Sequence, residues 1–210
     1  MERVIRSVYG ATKTKEDSLR ILTVNEEPLV AALVRLDKST FLHSLRTQKL
    51  AAALGKILEV SVGELHLLSI GALLHDIGKY YVPERILNKT TPLTAQEKGV
   101  IKSHSALGYY YLQPMALSEQ IKEMVLCHHR WADGEGGYPK FAAVKKPSFL
   151  TQIVTVADVG DAMLSDRAYR PPLSVAECIG FLEKNTPHMF NRDVVKAFKN
   201  FMGGKGGISP

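Results

Sequence analysis

Seven histidines are spread along the 210 residues of this chain, and a few of them stand where they could act together with carboxylates. His75-Asp76 closes an apolar run, Ala72-Leu73-Leu74, and His128-His129 closes another that contains Ile121, Met124 and Val125. An adjacent His-Asp pair at a helix end can send an imidazole and a carboxylate to one cation. His43 and His104 stand early or late in other helical stretches, and Asp158 follows Val154-Thr155-Val156-Ala157. A carboxylate inside an apolar run is costly to bury unless it is paired or metal-bound. Asp161 comes three residues later and so shares its helical face. Mixed imidazole and carboxylate donors suit iron, manganese, zinc or nickel rather than calcium. Two doublets and an intrahelical aspartate beside apolar cores together point to a metal centre, whereas His66 and His188 are read as structural.

The elements that must position these groups read as helices. Leu45, Leu50, Ala53, Leu54 and Ile57 fit one stripe, and Leu65, Leu68, Ile70, Leu73 and Leu74 fit another. Further helical patterns cover 28–37, 94–112, 118–129, 148–164, 174–184 and 191–202. Thr94 with Glu97 and Ser174 with Glu177 form capping boxes at two starts. Period-two alternation is scarce, so the fold class expected is all-α: a helical bundle with a metal site in its core. Ala132–Pro147 holds Gly134, Gly136, Gly137, Pro139 and Pro147, which makes it a long loop, and loops of that length are usually functional. The expected organisation is an N-terminal segment 1–27, a catalytic domain 28–202 and a flexible tail 203–210.

Composition narrows the class. Hydrophobic residues at 45% and charged residues at 23% exclude a disordered chain and suffice for one core. No apolar run approaches the ~18–20 residues of a membrane span, and Met1–Gly10 lacks the apolar stretch of a signal peptide, so a cytoplasmic location is expected. Two cysteines, Cys127 and Cys178, form neither a disulfide framework nor a paired-thiol zinc motif, and are expected to be buried free thiols. A net charge of +6 suits an anionic partner without naming one.

Order and spacing together carry more. The chain contains Asp37-Lys-Ser-Thr-Phe-Leu-His43-Ser, Leu73-Leu-His-Asp-Ile-Gly-Lys79-Tyr, Pro83-Glu-Arg-Ile-Leu-Asn and Pro92-Leu-Thr-Ala-Gln-Glu97. These are followed by His104-Ser-Ala-Leu-Gly108, His128-His129, Asp133-Gly134, Gly137-Tyr138-Pro139, Val156-Ala-Asp158-Val-Gly-Asp161-Ala and Asp166-Arg167-Ala-Tyr169-Arg170. From about Pro28 to Phe201 the chain resembles the HD-GYP family, a branch of the HD metal-dependent phosphohydrolases known for cyclic di-GMP phosphodiesterases.

The resemblance implies roles position by position. His43, His75, Asp76 and Asp158 match the ligands common to HD enzymes. His104, His128 and His129 match those that add a second metal, with Asp76 bridging. Lys79 matches a lysine beside the scissile phosphate, while Arg167, Arg170 and Asp161 are expected on the substrate side. The implied cofactors are two divalent ions, iron or manganese first, with nickel, zinc or magnesium as alternatives. Two cations lower the pKa of water to roughly 7, which makes it a nucleophile at neutral pH. The implied reaction opens cyclic di-GMP to a linear dinucleotide, and further cleavage to GMP is left open. Cyclic GMP-AMP or another nucleotide phosphoester is a second substrate reading, and a metal-containing sensing or partner-binding module with little turnover is a third. A contact with diguanylate cyclase domains through Gly137-Tyr138-Pro139 and a homodimer complete the expected partners. The chain departs from the family pattern in its loop: one extra residue precedes Gly-Tyr-Pro, Arg130 replaces a glutamate, and Lys140–Pro147 is rebuilt. Ser39, one turn before His43, replaces the glutamate that brings a third metal, and is expected to belong to a helix start.

Overall fold

The computed structural model describes residues 27–140, 146–166 and 171–204. The predicted N-terminal segment up to residue 26, the loop residues 141–145, Arg167 and Arg170 with the two residues between them, and the tail from 205 lie outside that range. The described residues form ten α-helices and one short 3-10 helix, with no strand and a single isolated bridge between Arg130 and Gly137. In chain order the helices are α1 (Glu27–Arg35), α2 (Lys38–Ile57), α3 (Val62–Leu74), the 3-10 helix Ile77–Tyr81, α4 (Glu84–Leu87), α5 (Ala95–Lys102), α6 (His104–Leu112), α7 (Glu119–Cys127), α8 (Phe149–Leu164), α9 (Val175–Lys184) and α10 (Arg192–Met202). The all-α expectation holds, and no helix among the described residues is long and apolar enough to cross a membrane.

Most of these helices start where side chains satisfy the free amides of a first turn. Asp37 Oδ1 accepts from the amides of Ser39 and Thr40 at 3.0 Å, so Asp37 caps α2 and Ser39 stands in its first turn as expected. The capping boxes of Thr94–Glu97 and Ser174–Glu177 are present, and Ser61–Glu64 supplies a third that opens α3. One expected helix, 94–112, is two. Its chain turns at Ser103, whose hydroxyl donates to the Val100 carbonyl at 2.7 Å, and α6 sets off afresh with His104 as its first residue. A serine hydroxyl that bonds back to the preceding turn competes with the regular helical ladder.

Helices α2, α3 and α8 are the centre of the core. The apolar stripes read from the sequence put Leu45, Leu50 and Leu54 of α2 against Leu68, Leu73 and Leu74 of α3, all buried. Helix α8 lies along α2, α7 packs on α3 and α6, and α9 and α10 close the far side. Both cysteines are buried and free. The turn after α3 approaches α6 so closely that Gly78 has no room for a side chain: a Cβ there would lie 1.9 Å from the His104 carbonyl oxygen and 2.5 Å from the Gly108 amide nitrogen. That contact sets the distance between His75-Asp76 and His104.

Gly78→Ala should therefore lower stability by about 2–3 kcal/mol in urea denaturation, or prevent folding, because the obstacle is backbone. Gly99→Ala, on the open surface of α5 with nothing near the added carbon, should stabilise by about 0.5–1 kcal/mol. Equal effects at the two positions would contradict the close approach.

Candidate metal centre

Five elements converge on one buried point. Helix α2 contributes His43, the end of α3 contributes His75 and Asp76, α6 opens with His104, α7 ends on His128-His129, and α8 contributes Asp158. His43, His75, Asp76, His104, His128 and Asp158 are all buried, and His129 is partly exposed. Three overlapping groups, His43–His75–Asp158, His75–Asp76–His128 and His104–His128–His129, have donor atoms close enough to hold an ion.

Helix ends determine how three of the imidazoles point. The last turn of a helix leaves carbonyls without amide partners. His75 Nδ1 donates to the Ala72 carbonyl at 2.7 Å, His104 Nδ1 to Ile101 at 2.7 Å, and His128 Nδ1 to Val125 at 2.9 Å. A carbonyl can only accept, so each Nδ1 carries the hydrogen, and in the neutral ring Nε2 is a lone pair aimed inward. His104 Nε2 and His128 Nε2 consequently face one another at 3.1 Å, and His75 Nε2 is buried with no hydrogen-bond partner. Lone pairs held at that distance repel unless positive charge sits among them. This donor set fits divalent cations.

His43 is held differently. Its Nδ1 donates to Asp161 Oδ2 at 2.6 Å, and Arg46 grips the same carboxylate through Nε and Nη2 at 2.7 and 3.0 Å. His43 Nε2 then faces Asp158 Oδ1 at 2.9 Å and Asp76 Oδ2 at 3.6 Å. Asp161 is fully buried with both oxygens engaged, which corrects the expectation that it meets substrate. It orients His43 from behind. Arg46 was not foreseen, although its spacing of three from His43 places both on one face of α2.

The electrostatics divide the cluster. Burial opposes ionisation of Asp76 and Asp158, yet their neighbours win: Lys79 and His75 beside Asp76, and the hydrogen bond from His43 with the nearby His75 at Asp158, hold both carboxyls well below the usual range. Burial likewise works against a charge on His75, but Asp76 and Asp158, 3.4 and 3.7 Å from its Nε2, raise it to about 10. That side of the cluster attracts positive charge. On the other side burial pushes His104, His128 and His129 down, so these rings stay neutral. Asp76 faces both halves: Oδ2 lies 3.4 Å from His75 Nε2 and Oδ1 lies 3.2 Å from His104 Nε2. Lys79 Nζ donates to Asp76 Oδ2 at 2.6 Å and lines the cavity above the cluster.

The Gly-Tyr-Pro loop folds back over His129. Tyr138 donates its amide to the His129 carbonyl at 3.2 Å, and its ring stacks 4.5 Å from the imidazole at 31°. Gly137 has φ +79 and would set a Cβ 2.0 Å from that same carbonyl, so glycine is required. Arg130, noticed in the sequence only as a departure, proves to be the clamp of this loop. Its guanidinium is buried and donates to the carbonyls of Gly134 at 2.6 Å and Pro139 at 3.3 Å. Arg167 and Arg170, expected on the substrate side, lie outside the described residues. His188 meets only Asp133 at the exposed surface, in keeping with a structural reading.

Arg46→Ala should cost about 1–3 kcal/mol in urea denaturation, since it strands the buried Asp161 carboxylate while Arg46 itself remains partly exposed. Arg46→Ala in an Asp161→Asn background should cost much less, because the amide needs no counter-charge. Additive effects in that double-mutant cycle would contradict the orienting chain.

Comparison with known proteins agrees with this geometry. The family model of the HD domain matches residues 40–163, more than half of the chain. The chain is 34% identical to a cyclic di-GMP phosphodiesterase of Pseudomonas aeruginosa over 207 residues, covering 97% of this chain and 49% of the relative. It is 32% identical to a cyclic di-GMP phosphodiesterase of Thermotoga maritima, covering 77% and 44%, and 35% identical to a 3'3'-cGAMP-specific phosphodiesterase of Vibrio cholerae, covering 68% and 33%. It thus spans about half the length, or less, of these curated relatives. Among solved structures, an HDG"Y"P protein from Bdellovibrio bacteriovorus superposes with a TM-score of 0.67 at 16% identity, covering 97% of this chain and 78% of that one. The HD domain of a Listeria monocytogenes phosphodiesterase bound to cyclic-di-AMP gives 0.60 at 19% identity, covering 87% and 97%. At such identities the two structures speak for the fold alone. The chain belongs to the HD domain family, in agreement with the HD-GYP resemblance of its motifs.

Proposed function

We propose that this chain is the catalytic domain of a metal-dependent phosphodiesterase that hydrolyses a cyclic dinucleotide, cyclic di-GMP first, to the linear dinucleotide and onward to GMP. The observation that carries the reading is the set of three imidazoles whose Nδ1 hydrogens are committed to helix-end carbonyls and whose Nε2 atoms converge. In this reading His43, His75 and Asp158 would hold one divalent ion, His104, His128 and His129 would hold a second, and Asp76, which faces both groups, would serve both. Iron or manganese suits such donors first, with nickel, zinc or magnesium as alternatives. Bound ions supply Lewis acidity toward phosphoryl oxygens and water acidic enough to yield a nucleophile near neutral pH.

The chain's own residues do the rest. The His104, His128 and His129 rings stay neutral because burial disfavours their charged form, while Asp76 and Asp158 make the His75 position one that attracts positive charge. Lys79, at the rim of the cluster, turns from Asp76 to a non-bridging phosphate oxygen and offsets the charge that grows there. Tyr138 covers His129 and excludes water from one flank. Arg167 and Arg170 belong to the same reading as contacts to the substrate. The relatives named for 3'3'-cGAMP favour a second substrate reading with the same chemistry, and only a panel of cyclic dinucleotides separates the two. The clamped Gly137-Tyr138-Pro139 loop supports a contact with a diguanylate cyclase domain, and a homodimer and a cytoplasmic location are part of the proposal.

Purified protein loaded with manganese or iron should convert cyclic di-GMP to linear product, followed by chromatography. Asp76→Ala should lower turnover by at least about 10³-fold and reduce metal content, whereas Lys79→Ala should keep the metal and lower kcat by about 10²-fold. Wild-type turnover in Asp76→Ala at full metal content would refute the mechanism. Metal loss in Lys79→Ala would reassign that lysine to holding the centre.

A further inference from the structure

The metal centre opens into a cavity of about 400 Å³, within the range that holds a small ligand. Its lining includes Lys79 together with His43, Asp76, His104, His129 and Asp158 of the cluster. Apolar side chains share the lining, among them Met163 of α8, Phe181 of α9, and Met189 and Phe190 of the connection to α10. Phe190 is buried, but Phe181 keeps 38% of its surface open. Single exposed apolar residues are ordinary on a protein surface. Phe181 differs in lining the same cavity as the catalytic cluster and in being fixed there. Its ring meets Phe190 edge-on at 6.0 Å and 62°, and its carbonyl accepts from the Asn185 side chain at 2.8 Å. The capping box of Ser174 and Glu177 anchors the helix that carries it.

We infer that Phe181 is a stacking platform for a nucleobase of the substrate. The inference rests on the proposed function for the placement of the phosphate: a phosphodiester drawn to the histidine and aspartate cluster keeps its nucleoside close to the same cavity, whose lining includes Phe181. A planar base is the substituent that gains most there, because its face can lie on a fixed ring that is partly desolvated already. Stacking of this kind tolerates any base, so the platform supplies affinity and orientation while the choice between guanine and adenine lies with other groups.

Calorimetric titration of the metal-loaded protein with GMP and with ribose 5-phosphate tests the platform without turnover. Wild type should bind GMP about tenfold or more tightly than ribose 5-phosphate, in line with roughly 1–3 kcal/mol per stacked base. Phe181→Ala should erase that preference and leave ribose 5-phosphate affinity unchanged, and Phe181→Tyr should restore it. With cyclic di-GMP as substrate, Phe181→Ala should raise KM about tenfold and leave kcat within twofold. No preference in wild type, or a preference that survives in Phe181→Ala, would overturn the inference. Absence of hydrolysis together with an intact base preference would instead remove the proposed activity and leave the platform standing.

Discussion

Everything in this chain turns on the hydrogen bond from an imidazole Nδ1 to the carbonyl three residues before it. Three helices end by giving a spare carbonyl to a histidine, and in each case the opposite nitrogen is driven into the interior. A free imidazole could satisfy itself by swapping tautomers; these cannot, because the carbonyl accepts and never donates. The result is a buried point where acceptors crowd together, an arrangement that costs free energy unless a cation shares it. The helix ends thus do two things with one bond: they satisfy their own backbone and they preorganise donors that fit a metal ion.

The remaining architecture serves that point. Helices α2 and α8 run side by side, so that His43 and Arg46 of one meet Asp158 and Asp161 of the other. Hydrogen bonds from His43 and Arg46 keep the Asp161 carboxylate ionised inside the core, and Asp161 keeps the His43 ring turned toward Asp158. Gly78 lets the turn after α3 touch the start of α6, which brings Asp76 within reach of His104. Arg130 draws the Gly-Tyr-Pro loop over His129 by its carbonyls, a bond type that survives a change of loop sequence because it uses only backbone.

Much of this was legible in the sequence, and the reason differs by element. Helix stripes, the two capping boxes and the clustering of His43, His75, Asp76, His104, His128, His129 and Asp158 follow from residue type, periodicity and the order of family motifs. Asp161 was misplaced because spacing along α8 shows which face it shares with Asp158 but not that Arg46 and His43 wait across the helix interface. The break at Ser103 escaped because a hydroxyl that bonds back to its own preceding turn looks, in sequence, like any other helical serine. The role of Arg130 was invisible for a similar reason, since its partners are carbonyls and every residue has one. Phe181 carries no signal at all in one dimension. It is one more apolar residue on an amphipathic helix until α8 and α9 set it against the cavity.

The central claim is that one buried cluster holds two divalent ions with Asp76 between them. Anomalous diffraction from crystals grown with excess manganese or iron tests it most directly. The account predicts two full-occupancy peaks about 3.5–4 Å apart, one beside His43, His75 and Asp158 and the other beside His104, His128 and His129. A single peak, or a third full-occupancy peak between His43 and Ser39, would contradict it.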